Sequence, residues 1–422
     1  MYKSNLLKFP FAIICVLLVL LGLSDLSVAQ TRNLKFYIEK GVSNNPSLNE
    51  QKNTKASANL DKNLISSQYY RPLVYGSAEY LYAPTFGNFG YDKAVTNSGL
   101  YSALFNIEYP LLAKKRVRVL MEQAESSIDK SLIQEKLIAH EVERTITQQY
   151  IAGYQNQLEL SYIQENIDLL DRQRNTLLKF TKQGLTSIAD LKQLELELQT
   201  LKIQKESLKS SFRNKISQLN SFAGIIDAQS VSLEMPDITI ESVTHRASSV
   251  FLNQFKIDSL ISTIQQKVDE LKYAPSLSIY GNTGVNTTQL NTLNNTFGFS
   301  AGIRFSVPIY DGSQKKITRG QNTLSIQSIS AFKDQFEIEH KNKLTDIQAQ
   351  LNTLKNQLTS FDNQIQEYEE LLQIYRKEIE SGDRSVVDYL IVLRGYISSK
   401  NQRITMETDR LLLLNEFNYW NW

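Results

Sequence analysis

After Gly320 the chain runs to Ser381 without a proline or a glycine. Within that stretch Leu344, Ile347, Leu351, Leu354, Leu358, Phe361, Ile365, Tyr368, Leu372, Tyr375 and Ile379 recur in alternating steps of three and four. This is an apolar a/d seam held over several heptads, a specific coiled-coil signal. At helical rise, 314–380 would extend roughly 100 Å. A chain with such an element cannot be an ordinary globule. Leu191, Leu194, Leu198, Leu201, Leu208, Phe212 and Leu219 carry a similar apolar series earlier on.

The passage leading into the long helix occurs twice. FSVPIYDGSQKK at 305–316 passes from an alternating run through a proline to lysines, and FNIEYPLLAKKR at 105–116 does the same. Pro110 and Pro308 lie 198 positions apart, as do Gly184 and Gly382, and Asp190 and Asp388. Pro72 and Pro275 open two further alternating runs. Landmarks recurring in the same order indicate internal duplication, with a period too long for a small solenoid repeat.

Each half reads as helix, strand, strand, helix, helix. Phe297, Phe299, Ala301, Ile303, Phe305 and Val307 alternate with Gly298, Ser300, Gly302, Arg304 and Ser306. Tyr101, Ala103, Phe105, Ile107 and Tyr109 alternate with Ser102, Leu104, Asn106 and Glu108. Period two with one apolar face means strands with one wet side. The segments 83–98 and 286–296, rich in Gly, Asn and Thr, read as hairpin connections.

The N-terminus reads as a secretory signal peptide. Lys3 and Lys8 precede the apolar run Phe9–Leu23, and Ser27-Val28-Ala29 supplies the small-x-small pattern, so cleavage is expected after Ala29. Cys15, the one cysteine, lies inside the apolar run after Ile14, which does not suit lipid attachment. The expected mature chain therefore has no disulfide or thiol chemistry. The organisation expected is a signal peptide at 1–29, a first repeat at 30–225, a connector at 226–243 and a second repeat at 244–422. The first repeat has strands about 73–82 and 101–109 and long helices about 114–180 and 191–224. The second has strands about 276–285 and 297–308 and long helices about 314–380 and 386–419.

Formal net charge is only +2, which suggests no nucleic-acid partner. His140, His245 and His340 are the three histidines, none with a second His or Cys at ligand spacing, so no metal site is expected. No phosphate loop or nucleophile elbow stands in the sequence, so no cofactor and no enzyme activity are expected.

The strands then demand an explanation. Four strands with an apolar face cannot close a membrane barrel, since the smallest have about eight, and open edges are forbidden in lipid. Three copies would pool twelve. The aromatics favour a membrane: residues 69–109 hold eleven Phe and Tyr, whereas 114–179 hold three. The expected fold class is mainly α with membrane β: long antiparallel coiled-coil helices in two structural repeats, with four strands per chain contributing to a trimeric twelve-stranded β-barrel.

The order of elements resembles the TolC-like outer membrane efflux family. The residues that carry the resemblance are NNPSL (44–48), YYRPLVYGSAEY (69–80), FNIEYPL (105–111), KQGLTSIADL (182–191), IRFSVPIYDGSQKK (303–316) and ESGDRSVVDYL (380–390). No obvious second NP exists, LNQF standing at 252–255 instead. The resemblance implies a homotrimer in the outer membrane lipid with a helical periplasmic tunnel. It also implies a periplasmic adaptor and an inner-membrane transporter as partners, and a role as exit duct. A different class, a periplasmic coiled-coil structural or adaptor protein without a pore, would leave the alternating apolar strands unexplained.

Within that reading, Asp388, Asp190, Asp383 and Arg384 are candidates for a periplasmic tip or gate. Acidic rings in pores select cations, but Asp190 and Asp388 equally suit the first turn of a returning helix. Gly184, Leu185, Gly382 and Val386 are candidates for adaptor contact at the tip turns. Asn106, Glu108, Arg304 and Ser306 should share the polar, lumen-facing side of the strands.

Overall fold

The a/d seam lies along one helix of 68 residues, Gln314–Ser381. The structure, a computed structural model, describes residues 30–84, 86, 90, 98–184, 186–227, 231–240, 249–381 and 383–422. The expected signal peptide at 1–29 lies outside them. In chain order the elements are β1 (Gln30–Arg32), α1 (Leu34–Asn44), α2 (Pro46–Tyr70), β2 (Leu73–Ala83), β3 (Ser98–Pro110) and α3 (Lys114–Lys182). There follow α4 (Ile188–Phe222), β4 (Val231–Leu233), α5 (Val250–Glu270), β5 (Ser276–Thr287), β6 (Phe297–Ser306), α6 (Gln314–Ser381) and α7 (Val386–Trp420). The protein is thus mostly helical with a few strands.

Two compact units form, and each draws on both halves of the sequence. The first takes the described residues up to Asn45 with those of His140–Val243 and Asn342–Trp422; the second takes Pro46–Ala139 and the described part of Thr244–Lys341.

In the first unit, leucines at heptad spacing meet. Leu191, Leu194, Leu198 and Leu201 of α4 pack with Ile163, Ile167, Leu170 and Leu177 of α3 and with Tyr389, Leu390 and Leu393 of α7. Along α6 the seam residues are buried or half-buried while the intervening Gln, Asn, Lys and Glu face outward. A narrow stripe is what two-helix packing requires. A second core gathers Tyr37, Ile146, Tyr150, Leu219, Val231 and Leu233.

That second core holds three elements which the strand and seam patterns do not reveal. Helix α1 begins at Asn33, whose side chain accepts from the Phe36 amide at 2.9 Å. It presents Tyr37 inward, where burial of this ring is complete. Strands β1 and β4 pair in parallel, Gln30 to Val231 through Arg32 to Leu233. Gln157 completes the β4 edge: its Oε1 accepts from the Leu233 amide at 2.7 Å and its Nε2 donates to the Leu233 carbonyl at 2.8 Å. The Tyr150 hydroxyl lies 2.9 Å from the Arg32 carbonyl and 2.8 Å from that of Glu234. Burial pushes this phenol far above its ordinary range, so it stays protonated and donates.

In the second unit the four strands form one antiparallel sheet, ordered β2-β3-β5-β6. Phe105 pairs with Gly76 and Thr283, and Thr283 with Phe299. Directly paired residues share a face. One face therefore carries Val74, Tyr80, Tyr82, Tyr101, Phe105, Ile107, Ile279, Phe299, Ile303 and Phe305; all of these large side chains are exposed except Tyr101, which is half-buried. Phe105 is 70% exposed and Phe299 88%. The opposite face carries Ser77, Asn106, Glu108, Tyr280, Asn282, Ser300 and Arg304.

Gly284 in β5 has φ +150, a region open to glycine, and a Cβ there would sit 2.1 Å from the Ala103 carbonyl oxygen on β3. Gly284→Ala must therefore push the two strands apart. The expected cost is about 1–3 kcal/mol, seen as a lower yield of folded protein after detergent extraction; wild-type yield would contradict it.

The helices of this unit share a small core of Ile65, Ala113, Val117 and Ala124. Ion pairs supplement it, among them Lys62–Glu125 at 3.2 Å, Lys130–Asp258 at 2.9 Å and Lys267–Glu122 at 2.8 Å. Each is partly exposed and contributes little by itself. Among the described residues no helix is long and apolar enough to cross a membrane, which says nothing about the sheet.

Candidate functional site

Two interhelical turns and the polar sheet face hold the candidate residues. The turn between α3 and α4 begins at Gly184, whose φ of +75 is the left-handed conformation that ends helices. Its amide bonds the Thr181 carbonyl at 3.1 Å. Thr181 and Thr186 join their hydroxyls across the turn at 3.0 Å. Ser187 then caps α4, accepting from the Ala189 amide at 3.1 Å. Asp190 sits in the first turn of α4, where the exposed amides favour a negative charge. Leu185 lies outside the described residues.

The second turn is tied more tightly. The Asp383 amide bonds the Glu378 carbonyl at 2.8 Å, and Ser381 donates its hydroxyl to the Asp383 carboxylate at 2.7 Å. Arg384 donates its Nε to Glu378 at 2.9 Å, comes within 4.0 Å of Asp388 and lies 4.6 Å above the Tyr375 ring. Ser385 caps α7 through the Val387 amide at 3.1 Å. Gly382 lies outside the described residues.

Val386 requires a correction. It was expected at a contact surface, but it is 4% exposed and packs with Tyr389, Leu390 and Leu393. An apolar residue at the first position of a helix points inward when the next turn forms a core. Exposed apolar side chains beside the turns are instead Ile188, Val387 and Ile391.

Arg384 and Asp388 are thus brought together within one hairpin, while Asp190 belongs to the other. The two hairpins are joined by the leucine core and by Arg394 of α7, which donates to Glu197 of α4 at 2.6 Å. Glu378 and Tyr375 were missed because their partner Arg384 lies across a turn, where helical periodicity no longer predicts neighbours. Acid–base chemistry is not suggested by the tyrosines nearby in sequence: burial raises Tyr389, as it does Tyr396.

On the sheet, Asn106, Glu108, Arg304 and Ser306 all lie on the polar face. Glu108 stands 3.6 Å from Arg304 and accepts from Ser278 at 3.0 Å. Asn106 donates to Ser77 at 2.9 Å. Arg304 also covers the Tyr280 ring at 5.1 Å. The row of hydroxyls, amides and one ion pair suits a wet surface.

His140 and His340 are packing residues. His140 bonds the Tyr419 carbonyl at 3.0 Å and stacks on Trp422 at 4.1 Å. His340 lies 5.7 Å from Phe336; His245 is outside the described residues. Among the described residues no group of three or more His, Cys, Asp or Glu could hold a metal ion.

At the level of sequence, no protein-family model and no curated protein matches this chain. The fold does match solved structures. The outer membrane protein VceC from Vibrio cholerae aligns with a TM-score of 0.71 at 13% identity, over 92% of this chain and 96% of that one. The CmeC outer membrane channel of Campylobacter jejuni aligns at 0.72 and 14%, over 92% and 85%. The open state of the MtrE outer membrane channel of Neisseria gonorrhoeae aligns at 0.69 and 14%, over 92% and 88%. The chain therefore has the TolC-like outer membrane channel fold. CmeC and MtrE are outer membrane channels and VceC is an outer membrane protein.

Proposed function

We propose that this protein is a trimeric outer-membrane exit duct. It carries substrates from a periplasmic adaptor and an inner-membrane pump across the outer membrane. The observation that carries this reading is the sheet: an exposed apolar face, a polar face behind it, and β2 and β6 as its outer strands. An exposed apolar face is unfavourable in water, and an open edge is unfavourable in lipid. Three copies joined β6 to β2 would satisfy both with twelve strands. Asn106, Glu108, Arg304 and Ser306 would then line the lumen. The likeness to outer membrane channels over most of the chain supports the same assignment.

In this reading 1–29 directs export and is removed. Each repeat supplies one strand hairpin to the barrel and one helical hairpin to the tunnel. The turns at Gly184–Leu185 and at Gly382 meet the adaptor, and Asp190 and Asp388 occur three times around the periplasmic entrance. Arg384, held by Glu378, fixes the position of Asp388; Asp383 stiffens the turn through Ser381.

Reconstitution in a planar bilayer tests the duct: the purified protein should give discrete conductance steps, and inserted protein without conductance would refute it. Asp388→Ala is expected to weaken block by divalent cations while leaving the fold intact. Block and conductance both identical to wild type would remove Asp388 from the gate.

A further inference from the structure

A cavity of about 560 Å³ opens in the second unit just past the ends of the strands. The ladder of β3 and β5 closes with the Leu111 amide bonding the Leu277 carbonyl at 2.8 Å. The cavity starts at that residue. One part of its wall is apolar, formed by Leu111, Leu112, Tyr273 and Pro275. The other part is basic: Lys114, Lys115, Arg116, Lys267 and Lys315 line it with a single carboxylate, Glu270.

The charges do not cancel internally. Glu270 is taken by Arg319 at 2.6 Å, which holds its carboxyl below the usual range. Lys267 is paired with Glu122 at 2.8 Å. Arg116 donates to the Leu271 carbonyl at 3.1 Å. Lys114 and Lys115 are left over at the start of α3, and Lys315, at the start of α6, has only a share in Glu270, which Arg319 already holds. The start of α6 is already met by the Asp311 carboxylate, which accepts from the Ser313 and Lys315 amides at 2.9 and 3.0 Å, so the start of α3 is the one that adds the positive end of a helix dipole. An unbalanced cationic cluster beside an apolar wall, directly below an exposed apolar sheet, has the polarity of a lipid molecule: phosphate on one side, acyl chain on the other.

We propose that this cavity binds the headgroup phosphate of an anionic glycerophospholipid from the adjoining leaflet, with Lys114, Lys115 and Lys315 on the phosphate and Leu111 and Leu112 against the chain. The inference rests on the membrane reading above. It adds a specific lipid site to it, one per protomer, where the chain leaves hydrocarbon for water. Basic pockets at this depth recognise lipid phosphates by charge and position.

Native mass spectrometry of the full mature protein, delipidated and then exchanged into micelles doped with phosphatidylglycerol, tests it. The wild type should retain phosphatidylglycerol, and retention should fall about five-fold for each lysine removed. The triple variant Lys114→Gln, Lys115→Gln, Lys315→Gln should lose it, and the corresponding arginine variant should keep it. Lys115→Gln alone serves if the triple variant does not fold. Equal retention in wild type and glutamine variants overturns the site. Displacement by inorganic phosphate at matching concentration would make it a free-phosphate site and also overturn it. Flotation with vesicles separates the two levels: normal insertion with equal retention defeats only the lipid site. Failure to insert defeats both the duct and the site.

Discussion

Phe105→Arg is expected to abolish assembly of the protein in membranes, whereas Asn106→Arg, one position away, should be tolerated. The contrast follows from period two along β3. Phe105 stands in the middle of the apolar face, in a row with Thr283 and Phe299 across the ladder. A cation at mid-bilayer on a barrel's lipid face costs about 2–4 kcal/mol, and a trimer would bear that cost three times. Total stabilities of ordinary domains are only about 5–15 kcal/mol. Asn106 lies on the polar face, bonded to Ser77, where a longer cation reaches water. Semi-native electrophoresis of detergent extracts reads the result as the fraction of assembled oligomer. Equal assembly of both variants would mean that the apolar face does not meet lipid.

Leu393→Ala is the second substitution with a large expected effect. Leu393 is 0% exposed, at the centre of the core that joins α3, α4 and α7 near the turns. Truncating such a leucine removes apolar contact and leaves a cavity, at about 2–5 kcal/mol. Ile391, two residues earlier, is 62% exposed, and its truncation should cost within about 0.5 kcal/mol. Denaturant unfolding followed by circular dichroism measures both. Because this core holds the two hairpins together, Leu393→Ala should also raise leak conductance in a bilayer. Similar midpoints for the two variants would contradict the packing described.

What was legible in the sequence was whatever depends on a repeating pattern. The seam from Leu344 to Ile379 announced a long helix because each of its residues contributes to one stripe. The alternation around Phe105 and Phe299 announced strands with a wet and an apolar side, since the side-chain period in a strand is two. The turns were marked by Gly184 and Gly382 and by Asp190 and Asp388 at the starts of the returning helices. Three-residue strands such as β1 and β4 carry no period; they exist because Gln157 and Tyr150 supply partners from α3. Helix α1 had a weaker signal, Asn33 followed by Leu34, Tyr37, Ile38 and Gly41, which was readable but short. Val386 was misplaced because proximity to a turn was taken for exposure. The Arg384–Glu378 tie spans only six residues but crosses a turn, where helical spacing no longer applies; the cavity at Lys114, Lys115 and Lys315 depends on distant segments meeting, which composition and spacing do not encode.

The central claim is that three copies pool their sheets into one membrane barrel. Electron microscopy of the detergent-purified mature protein tests it most directly. A particle well over about 100 Å long is expected, from helices of this length, with three-fold end views and a wide cap on a narrow stalk. A monomeric particle, or a thin strut without a cap, would contradict it.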